Sequence, residues 1–187
     1  FIRSKIEKKQ KILIHGGSSG IGTTAIQFAK IFGLEVFTTT RTDKKVANCK
    51  ELGADYAINS KKIDFEEFVK KKTSTKGVDF ILDIVGGSYV QKNINILKRN
   101  GTLINIGWLT GSIVNINLLM IMLKRLTLTG STLRIGSLEE KEKIAKGLKQ
   151  HIWPLVEKKK IKPILCKTFP FDKVKDAHIY MDKGLHF

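Results

Sequence analysis

Short apolar, β-branched runs alternate with amphipathic stretches along most of this chain, and that alternation predicts its architecture. Lys11-Ile12-Leu13-Ile14-His15 reads as a buried strand, followed by a helix from about Gly20 to Phe32 that Gly33 closes as a C-cap. A strand at Glu35 to Thr39, a helix at about Asp43 to Leu52 and a short strand at Tyr56 to Ile58 come next. Asp64 to Lys72 is helical in pattern, and Val78 to Ile84 is a strongly apolar strand. A helix near Tyr89 to Leu97 leads through Asn100-Gly101 into a strand at Thr102 to Ile106, and a final sheet strand is expected at Leu126 to Gly130. Crossover helices between successive strands require a parallel sheet covered on both faces. Six such strands, taken as two βαβαβ halves, predict an α/β fold with the doubly wound order 3-2-1-4-5-6.

Beyond the sheet, Ser137 to Lys159 reads as one or two basic helices, with Pro154 as a kink or restart. A strand at Pro163 to Phe169 and a last helix at Asp172 to Met181, capped by Asp172, complete the chain. The expected division is a core over residues 1–136 and a set of C-terminal helices with a strand over residues 137–187.

The turn between the first strand and the first helix is His15-Gly16-Gly17-Ser18-Ser19-Gly20-Ile21-Gly22. Strand, glycine-rich turn, helix is the Rossmann setting in which such a segment holds a dinucleotide. Gly17 and Gly20 allow a tight turn and close approach to a pyrophosphate, and Gly22 lets the helix lie against the sheet. Ser18 or Ser19 can cap the helix, whose free N–H groups and positive dipole end then face the phosphates. An NAD site usually places Asp or Glu about 20 residues beyond the glycines, to hold the ribose 2′-hydroxyl. Here the second strand ends in Thr38-Thr39-Thr40-Arg41-Thr42, with no acid at its tip. Arg41 and Lys45 can meet a 2′-phosphate, which points to NADPH, while Thr42 and Asp43 also read as the cap of the next helix.

Composition adds little to this picture. The formal charge of +17 favours anionic ligands, a phosphorylated cofactor included, and keeps RNA open as a less favoured partner. The lysines are scattered over the polar faces of candidate helices without interleaved aromatics, as on a solvated basic surface. Cys49 and Cys166 lie far apart with no CxxC or Cys/His cluster, which argues against a zinc site or a disulfide framework. Two partly buried thiols in a reducing compartment, the cytoplasm, are expected. The apolar run Ile113 to Leu123 is broken by Asn115 and Asn117 and is shorter than the roughly 20 residues of a membrane span. No secretory signal is expected, and Phe1 in place of Met suggests a start partway through a longer protein.

Several segments in order give the chain a more specific likeness. The loop Ile14 to Gly22 is followed by Lys50-Glu51-Leu52-Gly53-Ala54-Asp55 and by Gly77-Val78-Asp79-Phe80-Ile81-Leu82-Asp83-Ile84-Val85-Gly86-Gly87. Leu97-Lys98-Arg99-Asn100-Gly101, Ile106-Gly107 and Asp176-Ala177-His178-Ile179-Tyr180-Met181 complete the set. With these segments the chain resembles the quinone oxidoreductase branch of the zinc-independent medium-chain dehydrogenase/reductase superfamily, nearest to its tumour-suppressor-inducible type. The resemblance implies a cofactor domain that lacks the N-terminal barrel-like catalytic domain, with residues 137–187 returning toward it. By position it implies Gly17, Ser19, Gly20, Ile21 and Gly22 around the pyrophosphate, and Arg41, Thr42 and Lys45 around the 2′-phosphate. Val85, Gly107 and Trp108 would line the adenosine and nicotinamide sides, with Leu133 near the carboxamide. Ser60 stands where close relatives have a Tyr, so stacking of that ring on the adenine is not available.

Short-chain dehydrogenases use a similar loop but need a catalytic Tyr with Lys four residues later. Tyr56 is followed at that spacing by Ser60, Tyr89 by Asn93 and Tyr180 by Gly184, so none qualifies. His15, His151, His178 and His186 read as isolated strand-end or helix-surface residues. The leading expectation is the NADPH-binding part of a reductase acting on quinones or related α,β-unsaturated carbonyls. An enoyl-thioester reductase of the same superfamily and a non-catalytic nucleotide- or RNA-binding module are the alternatives. No catalytic residue and no metal ligand is assigned, and the chain alone is expected to have weak or no activity. Relatives dimerise through the last sheet strand, which makes Leu126 to Ser131 the expected homodimer edge.

Overall fold

The computed structural model describes residues 6–184 and 186–187; Phe1, which entered the sequence reading, lies outside them. β1 (Lys11–His15), β2 (Glu35–Thr40), β3 (Tyr56–Asn59), β4 (Val78–Asp83), β5 (Leu97–Asn105) and β6 (Thr127–Gly130) form one sheet. Its order is β3-β2-β1-β4-β5-β6 and every neighbouring pair is parallel, as the alternation predicts. The crossovers carry α1 (Gly20–Ile31), α2 (Asp43–Glu51), α3 (Phe65–Lys72), α4 (Tyr89–Ile96) and α5 (Leu119–Lys124). α6 (Leu138–His151), α7 (Trp153–Glu157) and α8 (Val174–Asp182) follow the sheet.

Period-two alternation divides the strand side chains between two cores. Ile12, Ile14, Val36 and Phe80 pack with Ala25, Ile26 and Ala29 of α1 and with Cys49 of α2. Leu13, Phe37, Ile58 and Ile81 face the other way, onto Phe65 and Val69 of α3 and Val90 and Ile94 of α4. Burial of each Val, Leu, Ile or Phe among them contributes roughly 1.5–3 kcal/mol. The first three helices start on side-chain caps: Ser19 accepts from the Gly22 N–H, Thr42 from that of Lys45, and Asp64 from those of Glu66 and Glu67. Gly33, with φ of 76°, follows the Phe32 C-cap of α1 and turns the chain into β2.

The C-terminal part differs from expectation. The predicted strand Pro163 to Phe169 does not form, because the segment has no ladder partner to take up its backbone N–H and C=O groups. The described residues of the 137–187 segment are therefore helices and irregular chain, not helices and a returning strand. Asp172 sits inside a 3-10 turn, Phe171–Lys173, and does not cap α8. Inside the apolar run Ile113 to Leu123, Asn117 does not simply interrupt: its Oδ1 accepts from the Leu119 N–H at 2.9 Å, where α5 begins. β5 starts at Leu97, ahead of the expected Thr102, with Asn100 in the left-handed region (φ 62°) and a register shift between Val78 and Phe80. Ser137 and Glu140 form a capping box on α6, and Pro154 lies in the first turn of the restarted helix α7. Among the described residues no helix is long and apolar enough to cross a membrane.

Candidate functional site

β1 and β4 are neighbours whose following connections run to opposite sides of the sheet, which leaves a crevice at their C-terminal ends. A cleft of about 630 Å³ opens there, within the range of ligand sites. The glycine turn forms one wall. A Cβ on Gly22 would lie 2.2 Å from the Gly16 carbonyl oxygen, so the helix start touches the turn's own backbone. A Cβ on Gly17 would lie 2.0 Å from Thr38 Oγ1, so Gly17 fits the turn onto β2. Gly20 has nothing within 4 Å of its Cβ position, which marks it as the glycine with open space above it. Ser19 spends its hydroxyl on the Gly22 N–H at 3.0 Å. The N–H groups of Gly20 and Ile21, at the positive end of α1, take no acceptor among the described residues.

Arg41 and Lys45 line the far end of the cleft together with Ser60, Lys61 and His186. Thr42 is engaged in capping, its Oγ1 accepting from the Lys45 N–H at 3.3 Å. The nearby acid is turned aside: Asp43 accepts from Asn59 at 2.6 Å and from Lys62 at 2.5 Å, and these bonds hold its carboxyl below the usual range. No carboxylate is among the residues that line the cleft. Burial, then the Arg41 guanidinium, pulls the Lys45 ammonium below its ordinary value. Ser60 donates to the Thr40 carbonyl at 3.0 Å.

On the opposite side Val85 lines the cleft, and its carbonyl accepts from Thr110 N–H at 2.9 Å and Thr110 Oγ1 at 3.0 Å. Gly107 comes close to Ile84, where a Cβ would lie 3.3 Å from the carbonyl oxygen. Trp108 lies over Gly86 and opens on a second cavity of about 420 Å³, at the ends of β5 and β6. Leu133 is 60% exposed and lines neither cavity. Ser19, Arg41, Lys45 and Val85 therefore share one cleft, Gly17 and Gly20 to Gly22 build its loop, Gly107 and Trp108 adjoin it, and Leu133 stands apart.

Two histidines that read as isolated are not. His15 is buried, with Nε2 2.8 Å from Asn93 Oδ1 and Nδ1 3.0 Å from Thr39 Oγ1. The Asn93 amide donates to Asp83 Oδ2 at 3.1 Å, which orients its oxygen toward the imidazole and assigns the ring proton to Nε2. Asp83 also accepts from Asn105 Nδ2 at 3.2 Å and from the N–H groups of Val85 and Gly86 at 2.7 and 3.2 Å. Burial lowers the His15 pKa, against the raising effect of Asp83 and Asn93, so the ring is neutral. The network ties the start of the glycine turn to the ends of β4 and β5. No local sequence pattern signals it, because its members are brought together only by the sheet order. The second, His186, is half-buried in the cleft wall, and its Nδ1 is shielded from solvent without a hydrogen-bond partner.

Both cysteines are free, Cys49 buried with its thiol pushed up to about 12 by burial, and Cys166 exposed where a partly buried thiol was expected. Among the described residues no group of three or more His, Cys, Asp or Glu could hold a metal ion.

Residues 20–148 match the model of a family described as "Zinc-binding dehydrogenase". The chain is 27% identical over 176 residues to the quinone oxidoreductase of Homo sapiens, a match that covers 92% of this chain and 51% of that protein. Among solved structures it is similar to the CurF ER cyclopropanase from the curacin A biosynthetic pathway, with a TM-score of 0.83, 29% identity and coverage of 98% of this chain and 54% of that one. JamJ enoyl reductase (apo form) aligns with a TM-score of 0.82 at 28% identity, over 100% of this chain and 55% of that one. The chain thus spans about half the length of the curated quinone oxidoreductases it matches.

Proposed function

The chain belongs to the zinc-binding dehydrogenase family, and from that premise we propose that it is the NADPH-holding part of an oxidoreductase acting on quinones or related α,β-unsaturated carbonyls. The observation that carries this reading is the end of the cleft that Arg41 and Lys45 line, in which no lining residue is a carboxylate. A 2′-hydroxyl calls for an acid there and a 2′-phosphate for cations. When bound, the reduced nicotinamide supplies a hydride.

The residues of this chain do the holding. The N–H groups of Gly20 and Ile21, with the dipole of α1, bind the pyrophosphate; Ser19 and Gly22 fix that helix start, and Gly17 fixes the turn against β2. Arg41 and Lys45 neutralise the 2′-phosphate, and Thr42 sets the first turn of α2 so that Lys45 faces the cleft. Val85, Gly107 and Trp108 would line the adenosine and nicotinamide sides, and Leu133, which lines neither cavity, is given no contact. Zinc has no donor set among the described residues, and no step is assigned to it. Support for quinone as acceptor comes from the human quinone oxidoreductase it resembles. The enoyl-reductase structures it resembles favour an enoyl thioester as the second reading.

Equilibrium binding tests the cofactor: the chain should bind NADPH more tightly than NADH, and Arg41→Ala should weaken NADPH about tenfold while leaving NADH nearly unchanged. Equal affinity for both nucleotides would sink the reading. NADPH oxidation by the natural polypeptide against quinones, enones and enoyl thioesters then separates the two acceptors.

The open edge of β6, exposed at every position, supports a homodimer in which Leu126 to Ser131 pairs with a second copy. Sedimentation should give twice the chain mass of 21.1 kDa, reverting to one copy in Thr129→Pro. The two unbridged cysteines favour a reducing compartment such as the cytoplasm.

A further inference from the structure

Arg41, Lys45 and His186 meet at one end of the cleft, and no salt bridge neutralises Arg41 or Lys45 among the described residues. His186 is held there by its neighbours. Phe187 packs against the core that holds Cys49 and Leu52, and its N–H donates to Cys166 Sγ at 2.8 Å. Gly184, with φ of +62°, lies beside Arg41, where a Cβ would sit 3.6 Å from Nη2. The imidazole lines the cleft wall, its Nδ1 shielded and without a hydrogen-bond partner.

We propose that His186 is a third arm of the 2′-phosphate clamp, donating a hydrogen bond and, when protonated, a charge that makes NADPH preference depend on pH. This rests on the NADPH reading above. Arg41 at the end of β2 and Lys45 on α2 act on His186, Lys61 after β3 lines the same cleft, and the Cys166 thiol lies at Phe187, the next residue. None is an acid. Burial first, then Lys45 and Arg41, keeps the free imidazole below its ordinary value, so it is neutral in the absence of an anion. A phosphate placed among these groups reverses the electrostatics and favours the imidazolium. Proton uptake on binding means that NADPH affinity rises as pH falls through the raised pKa of the complex, and levels off below the free value.

The test is NADPH and NADH binding to the full chain from about pH 8.5 to about pH 6, by quenching of intrinsic tryptophan fluorescence, for the wild type, His186→Gln and His186→Lys. Protonation of the 2′-phosphate of the free cofactor, near pH 6, is common to all three proteins and cancels in their ratios. His186→Gln should bind NADPH about tenfold more weakly than the wild type at low pH and nearly equally at high pH, with NADH unaffected. His186→Lys should keep tight NADPH binding at every pH, because its cation does not titrate in this range. A wild-type to His186→Gln ratio that stays flat with pH, alongside intact NADPH preference, overturns the role of His186 alone. Parallel loss of NADH and NADPH in His186→Gln also overturns it, since that marks a structural role. No preference for NADPH in the wild type overturns the cofactor reading and this inference with it.

Discussion

The chain up to Asn105 and the chain after it differ in how they use apolar residues. Among the described residues every buried hydrophobic residue of the core lies in the first region except Ile161. In the second, Ile113, Ile135, Leu138 and Phe171 are 97, 82, 85 and 96% exposed. The difference is one of layers. From β3 to β5 the sheet is covered by α1 and α2 on one face and by α3 and α4 on the other, so both sets of alternating side chains are enclosed. β6 is exposed at every position, the short helix α5 packs beside β5, and α6 to α8 bury no residue of their own among the described residues. Hydrophobic residues make a core only where a second layer is present to receive them.

Truncation should show the contrast most strongly. Leu13→Ala, in the sheet centre, should cost about 2–5 kcal/mol in urea unfolding, and Ile135→Ala less than about 0.5 kcal/mol. Similar losses at both positions would break the comparison. Within the first region, the glycine turn offers a finer contrast. Gly22→Ala forces a methyl onto the Gly16 carbonyl and should destabilise the fold by about 1–3 kcal/mol, seen as a lowered Tm. Gly20→Ala meets open space and should leave Tm nearly unchanged while weakening dinucleotide binding, because the new methyl enters the phosphate's approach.

A pH effect should follow from His15. Its folded-state pKa lies below the ordinary value near 6.5, so the unfolded chain takes up the proton first as pH falls. The contribution of the neutral ring to stability is complete above about pH 6.5 and is lost as pH drops toward the folded value. Urea midpoints measured from about pH 8 to pH 5 should decline in the wild type, and more shallowly in His15→Gln. A purely local effect is expected in the second region: Ser137→Ala removes the capping box of α6 and should cost about 1 kcal/mol of helix stability there. Amide exchange along α6 should quicken while the core strands keep their protection; faster exchange in both would mean that the two regions unfold as one.

The sheet order and the glycine turn were legible because both are written in short spacings: apolar alternation with a period of two, helical repeats, and glycines between a strand and a helix. Arg41 and Lys45 were legible for the same reason, since they follow the second strand directly. The predicted strand Pro163 to Phe169 failed because an extended pattern needs a partner, and whether an edge is free to pair is a property of the whole sheet. α5 was hidden because a run of Leu, Ile and Met with two Asn residues suits several local conformations.

The sequence by itself determined the doubly wound α/β order, the glycine-rich turn and the cationic tip of β2, all consequences of residues near one another along the chain. Only the tertiary structure decided that His15 is a buried, neutral link through Asn93 to Asp83, and that His186 stands beside Arg41 and Lys45. Those contacts join positions as far apart as β1 and α4, or α2 and the end of the chain. Local periodicity carries no information about such pairs; they exist because parallel strands bring their C-terminal ends to one edge, and because Phe187 finds its place against the core.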